Sequence, residues 1–458
     1  MHIRYLVGAS ILAIAASGQA LAQTATSAAP TPEAPVAAQP TTSDTSDEIV
    51  VTATKRLQAL QDVPVSVAVT SQQTIERAQI RDLNDLQSVV PSLKVSQGTS
   101  VAETNFYIRG FGNGAGNVGI EGSVGVFIDG VYRSRSAASL NDLPEVERIE
   151  VLRGPQSTLF GKNVSAGAIN IVTRRPQFTT GGSAELTVGN YGQFVAKGTV
   201  TGPVSKTLAL RLSGNVNERK GTIRNLVTGT KLNNRNRFSV RGDLLWTPTA
   251  QLGVRIIADY NKIDEKCCGT VQLLNGPATT FLIAGALGAQ VGDPNRKFDR
   301  VTTLDVDPVN KIVGKGISGE IDYDFGAAKL TSITAYRDQL NNSAQDVDFT
   351  GADLASRVDH TRTKTFTQEV RLASDGKGRF NWLLGAFYDH ENLDTSSRVS
   401  FGRDIRTFAD LASGPGFIPG RSNLFAFEYL QSLVTPSIIP GGTYFQPGVA
   451  IEIGRAHV

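Results

Sequence analysis

The chain contains 458 residues, with 45 Lys and Arg against 42 Asp and Glu, so its formal net charge is only +3. A balance this even gives no support for nucleic-acid binding. Beyond the N-terminus, no apolar run reaches the ~18 residues that a membrane-spanning helix needs. The 46 glycines and the stretches that alternate apolar with polar residues are typical of transmembrane β-strands. Composition therefore favours a membrane barrel over a bundle of membrane helices.

Residues 1–22 have the features of a secretory signal sequence. Tyr5–Ala16 supply an apolar core, and Ala20–Ala22 offer small residues for cleavage. Residues 23–46 are mostly Ala, Pro, Thr and Ser, which bury too little apolar area to offset the entropy of ordering. We therefore expect export from the cytoplasm and a flexible tether that reaches into the periplasm.

A short β-prone run follows the tether directly. Extended β-branched residues on a mobile chain suit recognition by strand addition, in which backbone hydrogen bonds supply the affinity. Taken alone, the run also fits an ordinary edge strand. Its members are Asp47, Glu48, Ile49, Val50, Val51, Thr52 and Ala53.

Residues 63–176 have the pattern of a compact mixed α/β domain. Val65–Val69 alternate as a strand, and residues 71–80 and 83–90 are predicted to be helical, with Pro91 ending the second helix. Glycine-rich stretches in this region fail as nucleotide sites. The stretch 114–119 has the spacing of a dinucleotide-binding turn, but a predicted strand follows it where a helix is required. The stretch 154–162 resembles a P-loop, but Asn163 stands where a P-loop needs Ser or Thr. The four histidines also lie far apart in the sequence, so no catalytic residue, metal site or cofactor is predicted.

Three motifs occur in order within this domain. The first, residues 106–112, reads FYIRGFG, and the second, residues 124–132, reads VGVFIDGVY. The third, residues 145–176, reads EVERIEVLRGPQSTLFGKNVSAGAINIVTRRP. Together with the preceding β-prone run, they resemble the plug domain of TonB-dependent outer-membrane receptors. The resemblance is close over residues 47–176 and rests on strand pattern further along the chain.

The resemblance implies a domain organisation. The signal sequence and tether precede a TonB box region at 47–56, a mixed α/β plug domain at 57–176, and an antiparallel transmembrane β-barrel from 177 to 451. It also implies that residues 47–53 bind TonB, which draws energy from ExbB and ExbD in the inner membrane.

The resemblance also suggests roles for individual plug residues. Arg109 and Arg153 are expected inside the barrel, where an unpaired charge is costly. Glu369 is a candidate partner for both, because its neighbours on the same strand place their apolar side chains on the opposite face. We therefore predict a plug–barrel lock made of these three residues. The glycine-rich plug loop is expected to face the extracellular side and to meet the ligand through Phe111, Asn113 and Asn117.

Amphipathic strands are predicted after Pro176. Short connections alternate with long ones, and this is expected of a barrel with tight periplasmic turns and long outer loops, whereas a soluble sandwich gives no reason for it. The long connections are 219–234, 263–314 and 339–361. The nine predicted strands are 183–189, 193–201, 206–218, 235–247, 250–262, 315–325, 328–338, 362–373 and 380–392.

Nine strands are fewer than half of the about 22 that complete barrels of this family have, so the chain is expected to be incomplete. Residues 452–458, EIGRAHV, resemble a sequencing-adapter sequence translated in frame, and we predict that this tail is not native. Cys267 and Cys268 fall in a long outer loop. They are expected either to bridge each other or to pair with a missing partner, and the sequence does not decide between the two.

The expected function is TonB-dependent transport across the bacterial outer membrane. A ferric siderophore is the first expectation for the substrate, with cobalamin, carbohydrates or aromatic compounds as alternatives. A non-transporting outer-membrane binding protein is a further alternative. The expected partners are TonB, a small-molecule substrate and outer-membrane lipid, with no nucleic acid.

Overall fold

The computed structural model describes residues 49–113, 119–135, 142, 145–375, 379–413 and 450–457, the last range as backbone only. The predicted signal sequence, the tether, Asp47, Glu48 and Asn117 lie outside these residues. Contacts divide the chain into residues 1–48 and 49–458, and every described residue belongs to the second unit. No helix in the described ranges combines the length and apolar character needed to cross a membrane.

The first part of this unit, residues 49–176, is called the plug below. Its largest sheet has five strands in the order β3-β8-β9-β6-β7, with β6 and β9 parallel and the other pairs antiparallel. Two further pairs, β1-β2 and β4-β5, flank it. The elements are β1 Val50–Val51, β2 Gln58–Ala59, β3 Val67–Ser71, α1 Gln72–Arg77, α2 Leu83–Leu86, β4 Leu93–Gln97, β5 Thr104–Ile108, β6 Val124–Ile128, β7 Val131–Arg133, β8 Val146–Arg153, α3 Ser157–Phe160 and β9 Gly167–Thr173.

Local sequence explains the predicted helices and why they are short. The side chain of Ser71 accepts a hydrogen bond from Thr74 N at the start of α1. Asp82 and Asp85 form a reciprocal capping box at the start of α2. Helix α1 ends at Arg77, three residues before the predicted limit, and Gln79 then takes a left-handed backbone conformation (φ 53°) that prevents its continuation.

The second part is a ten-stranded antiparallel sheet, called the wall below, with the order β10-β11-β12-β15-β16-β18-β19-β20-β21-β22. A small sheet, β14-β13-β17, and a π-helix at Ala278–Ala286 lie in its loops. The elements are β10 Gly181–Gly189, β11 Gln193–Pro203, β12 Leu208–Arg219, β13 Ile223–Asn225, β14 Lys231–Leu232, β15 Arg235–Trp246, β16 Leu252–Glu265, β17 Val301–Thr302, β18 Val309–Asp324, β19 Ala328–Asp346, β20 Ala355–Ser374, β21 Leu383–Phe401, α4 Ile405–Ser413 and β22 Ala450–His457.

All nine predicted wall strands are present, and the predicted fold class is confirmed. A tenth, Ala450–His457, pairs with β21 and includes most of the segment predicted to be a non-native tail. The later strands are longer than predicted, with β19 and β20 spanning 19 and 20 residues. About 9–11 residues suffice to cross a bilayer. The alternation in the sequence therefore marked only part of each strand from β18 to β21.

One prediction about loop length is wrong. The connection expected at 339–361 shortens to 347–354, about as long as the turn at 375–382, so long and short connections do not alternate strictly. The polar residues Asn341, Ser343 and Gln345 fall within that predicted loop. They lie on β19 with their side chains buried, at 6%, 4% and 6% exposure. The end of the wall that holds the turns at 204–207, 247–251, 325–327 and 375–382 is called the inner end, and the opposite end the outer end.

The two faces of the wall differ as a membrane strand requires. On β20, Thr363, Thr365 and Thr367 are buried, whereas Phe366 and Val370 on the opposite face are exposed. Other strands repeat this apolar exposed face. It includes Val200, Leu212, Phe238, Val240, Ile256, Ile317, Ile321 and Tyr336. The polar face packs on the plug, so the apolar face is the one available to lipid.

Candidate functional site

The described part of the predicted TonB box lies within the plug. Val50 and Val51 pair with β2, and the side chains of Val51 and Ala53 are completely buried. They share a core with Leu152 and Ala168. Between them, Thr52 N donates a 2.8 Å hydrogen bond to Oε1 of the buried Glu150. The sequence suggested a mobile segment, but the structure holds residues 50–53 in place through backbone pairing and two buried side chains.

Lys55 joins the end of this segment to the wall. Its Nζ lies 3.1 Å from Oε2 of Glu369 on β20, and the two side chains are only 7% and 12% exposed. The same nitrogen lies over the ring of Phe160, 4.4 Å from its centroid. Burial lowers the pKa of Lys55, and the charge of Glu369 opposes this shift. The neighbouring Arg56 also donates a hydrogen bond to the wall, at the carbonyl of Trp382.

The predicted lock must therefore be corrected. Glu369 pairs with Lys55 and with Arg371 of its own strand, at 3.1 and 2.6 Å. Arg109 and Arg153 instead donate hydrogen bonds to the hydroxyl of Ser66, at 3.1 and 3.4 Å, and form no ion pair with a carboxylate of the described residues. Alternation along β20 indicates the face that bears Glu369. Which plug cation meets that face depends on how the two domains dock.

A buried charge network joins plug and wall near the outer end. Arg237 of β15 is 4% exposed and contacts three carboxylates: Asp82 at 3.0 Å, Asp142 at 3.1 Å and Glu265 at 2.7 Å. Asp142 also accepts a hydrogen bond from the side-chain amide of Asn215 at 2.7 Å. Asp82 is the residue that caps α2, so this network fixes a plug helix to the wall.

A second network lies closer to the inner end. Asp129, in the turn between β6 and β7, faces Arg255 at 3.3 Å and also pairs with Arg241. Burial alone would raise the pKa of Asp129, but the two guanidinium groups hold it well below its usual range. Arg255 also binds Asp243 on the neighbouring wall strand. Sequence reasoning missed both networks, because their members are distant in the chain.

The outer part of the plug contacts the wall through residues 97–103. Gln97 Nε2 lies 3.4 and 3.0 Å from the sulfurs of Cys267 and Cys268, which form a vicinal disulfide. The structure thus adopts one of the two alternatives that the sequence left open. Val101 N donates to Asn310 Oδ1 at 2.9 Å, and Glu103 pairs with Arg357 at 2.7 Å.

The predicted ligand-facing residues differ in their surroundings. Phe111 is 73% exposed, as a ligand contact would require. Asn113 is engaged within the loop: its Oδ1 accepts hydrogen bonds from the backbone N and the hydroxyl of Ser123, at 2.6 and 2.9 Å. Its amide therefore holds the two ends of the loop together, which corrects the expectation that it is free to meet a ligand.

Three acidic side chains meet above the outer end of β19. Asp305, Asp346 and Asp348 bring carboxylate oxygens within 4.8 Å of one another. Burial and nearby carboxylates raise the pKa of Asp305, which lies outside the membrane-spanning strands. The sequence does not indicate this cluster, because residue 305 comes from a different loop. The spacing of Asp346 and Asp348 was the only local signal.

The fold and these contacts define a class of protein. An α/β domain packs against the polar face of an antiparallel wall whose other face is apolar, as in a plugged outer-membrane barrel. Residues 59–168 match the family described as the TonB-dependent Receptor Plug Domain. The chain therefore carries the plug and an adjoining part of the barrel of a TonB-dependent outer-membrane receptor, and the predicted outer-membrane localisation is confirmed.

Curated relatives agree with this family. The chain is 34% identical over 183 residues to the "Vitamin B12 transporter BtuB" of Vibrio vulnificus, covering 39% of this chain and 29% of that protein. It is 30% identical over 217 residues to the "Ferrioxamine receptor" of Yersinia enterocolitica, covering 46% of this chain and 28% of that protein. The chain thus spans less than a third of the length of these relatives.

Solved structures show the same fold. The ferric yersiniabactin uptake receptor FyuA from Yersinia pestis superposes with a TM-score of 0.64 at 21% identity, covering 74% of this chain and 50% of that one. The siderophore receptor PiuA from Acinetobacter baumannii gives 0.61 at 17% identity, covering 78% and 51%. At this identity the likeness concerns the fold alone.

Proposed function

We propose that the complete receptor imports a scarce substrate across the outer membrane, with energy supplied through TonB and, behind it, ExbB and ExbD. The observation that carries this proposal is the path from the box to the wall. Residues 50–53 belong to the plug core, and Lys55, two residues further on, contacts Glu369. A pull on the box therefore acts on a plug–wall contact directly.

The order of events follows from these contacts. TonB captures the box as an added strand, which requires residues 50–53 to leave β2 and the plug core. Withdrawal then breaks the hydrogen bond between Thr52 and Glu150 and the ion pair between Lys55 and Glu369. The networks at Arg237 and Asp129 lie elsewhere on the plug and keep it seated while the inner part opens. No step in this sequence makes or breaks a covalent bond of the substrate.

We propose a ferric siderophore as the substrate. Supporting this choice, relatives and solved receptors of the same fold are named for ferrioxamine, yersiniabactin and pyoverdine. Cobalamin is the second candidate, because a relative at 34% identity is named a vitamin B12 transporter. Competition between labelled ferrioxamine B and cobalamin for uptake by cells that express the complete receptor separates the two.

Arg109 and Arg153 keep a proposed role in holding the plug closed. They share Ser66 as a partner, and Arg153 Nε is buried without a hydrogen bond. Arg109 is exposed and Arg153 is half-buried, and a guanidinium that becomes enclosed favours a carboxylate partner. We propose that in the complete receptor a wall carboxylate other than Glu369 supplies it.

Deletion of residues 47–53 from the complete receptor tests the energy coupling. We expect uptake to be abolished while substrate still binds at the cell surface. A matched deletion of seven residues within the tether, 30–36, should leave both unchanged. Continued uptake through the receptor after loss of the box would rule out coupling through this segment and would favour passive transport. Surface binding without uptake by the unaltered receptor would favour a non-transporting binding protein.

A further inference from the structure

A cavity of about 90 Å³ lies between the plug and the wall, beside the last residue of β7. The plug contributes Ile128, Arg133, Asp142 and Glu145 to its lining, and strands β11 to β19 contribute the rest. Lys197, Thr199 and Ser213 add an ammonium group and two hydroxyl groups. A second, smaller cavity of about 20 Å³ is also lined by Arg133. Arg133 thus lines both cavities.

Arg133 lacks the partners that a buried arginine normally has. It is only 7% exposed, and its Nε and Nη1 atoms are buried without a hydrogen-bond partner among the described residues. A guanidinium keeps its proton even when buried, so this position carries a positive charge. Burial of such a charge without compensation is strongly unfavourable.

The acidic residues around the cavity are already engaged by other arginines. Asp259 receives two hydrogen bonds from Arg337, at 2.9 and 2.6 Å. Asp142 belongs to the network of Arg237, and Glu145 pairs with Arg211. None of the three forms a contact ion pair with Arg133. The site therefore combines a guanidinium with two unpartnered nitrogens, a second cation at Lys197, and carboxylates that are hydrogen-bonded to other arginines. Asp259 and Asp129 act on Arg133 only at a longer range than an ion pair.

We propose that Arg133 and this cavity bind a small oxyanion from the surrounding medium, either a carboxylate such as formate or a tetrahedral oxyanion, which supplies the missing counter-charge and helps to seat the plug. A volume of about 90 Å³ accommodates a few waters or one such ion. Pockets for drug-sized ligands occupy roughly 300–1,000 Å³. The cavity is therefore too small for an iron chelate, and the occupant of the closed plug is a free ion.

Selenate is a suitable probe because selenium can be located by anomalous scattering. Crystals of the complete receptor, free of any transported substrate, are soaked in selenate. We expect an anomalous peak beside Arg133, placed so that a selenate oxygen lies within hydrogen-bond distance of Nε or Nη1. Density that corresponds to water alone at this position, with no anomalous peak, would overturn the proposal. This arm needs no variant, so it decides the matter even if a substitution prevents folding.

Thermal unfolding at constant ionic strength, with chloride replaced stepwise by selenate or formate, gives the second arm. Wild type should gain Tm as the oxyanion rises. For Arg133→Gln, the oxyanion concentration that gives the same gain in Tm should be at least about tenfold higher, because the substitution removes one or two charge-assisted hydrogen bonds. Lys197→Met should weaken it less.

Arg175→Gln is the matched control, because it removes a plug cation that pairs with wall residue Glu320 outside the cavity. It should respond to selenate and formate as wild type does. An Arg133→Gln protein that also responds like wild type would overturn the proposal. Because neither arm involves transport, these results are independent of the uptake experiment.

Discussion

The inner and outer contacts between plug and wall are built differently. At the outer contact, Arg237 is shared by three carboxylates, and all four side chains are at most 5% exposed. At the inner contact, Lys55 meets one wall carboxylate, Glu369, which keeps a second partner in Arg371. Loss of Lys55 therefore leaves Glu369 with Arg371. Loss of Arg237 leaves Asp142 without a salt bridge among the described residues, and it leaves Asp82 and Glu265 with only the longer contacts to Arg235, at 3.8 and 3.5 Å. The difference suggests that the outer contact anchors the plug and the inner contact is suited to release.

The largest effect is expected from Arg237→Met. This change leaves Asp82, Asp142 and Glu265 buried without their common cation, and breaking a buried pair typically costs about 3–5 kcal/mol. Thermal unfolding of the purified complete receptor measures the loss. Arg175→Met, at a pair whose arginine is 49% exposed, should cost less than about 1 kcal/mol. Equal effects at the two positions would remove the basis for an outer anchor.

Gly125→Ala should come next, because it tests whether the plug is a rigid body between the two contacts. A Cβ at this position would overlap Val164 Cγ1 and would lie 3.0 Å from the ring of Phe127. Overpacking of this kind costs about 1–3 kcal/mol. The control is Gly319→Ala on β18, where nothing lies within 4 Å. A neutral Gly125→Ala protein would indicate a plug core that yields easily.

Lys55→Met should open the inner contact selectively. Methionine keeps apolar contact with Phe127 and Phe160 but lacks the charge, so we expect a loss of about 1–2 kcal/mol, smaller than at Arg237. Thiol labelling of a Val51→Cys protein measures it, because Val51 is completely buried until the box leaves the plug. Labelling should accelerate about five- to thirtyfold.

Two controls make the Lys55 result specific. Lys94→Met, at an exposed plug lysine, should leave the labelling rate unchanged. Glu369→Gln should also accelerate labelling, and the double variant should show less than the sum of the single effects because both changes remove one contact. Additive effects would indicate that the ion pair does not hold the box.

The smallest effect is expected at the outer loops, through Asp305→Asn. The folded protein raises the pKa of Asp305, mainly through burial. A raised aspartate pKa means that the protonated form favours folding, so stability falls as the pH rises through the folded-state pKa. The substitution should therefore stabilise the protein modestly at neutral pH, by less than about 1 kcal/mol, and have little effect below the usual pKa of aspartate. Thermal unfolding as a function of pH provides the test, and a benefit that grows towards acid pH would contradict it.

Some features of the site followed from local sequence, and others required contacts between distant segments. Alternation along β20 indicates the face that bears Glu369, because side chains on a strand point to opposite faces. The partner of Glu369 did not follow, since Lys55 is 314 residues away in the chain. The two cysteines are adjacent, so their bridge was one of two local options, but their contact with Gln97 depends on where the plug lies.

The sequence by itself determined that a plug precedes the wall and that the wall strands have one apolar face. Three plug motifs in a fixed order and strands with one apolar face carry this information locally, because a strand shows its two environments in its own alternation. Only the tertiary structure decided how the plug is held. Nothing in the sequence distinguishes Arg237, Lys55 and Arg133 from other cations. Arg237 and Lys55 acquire buried carboxylate partners, and Arg133 is buried with two nitrogens unpartnered, only when plug and wall pack together. Electrostatic energy depends on distance and burial, and neither quantity is encoded in sequence spacing.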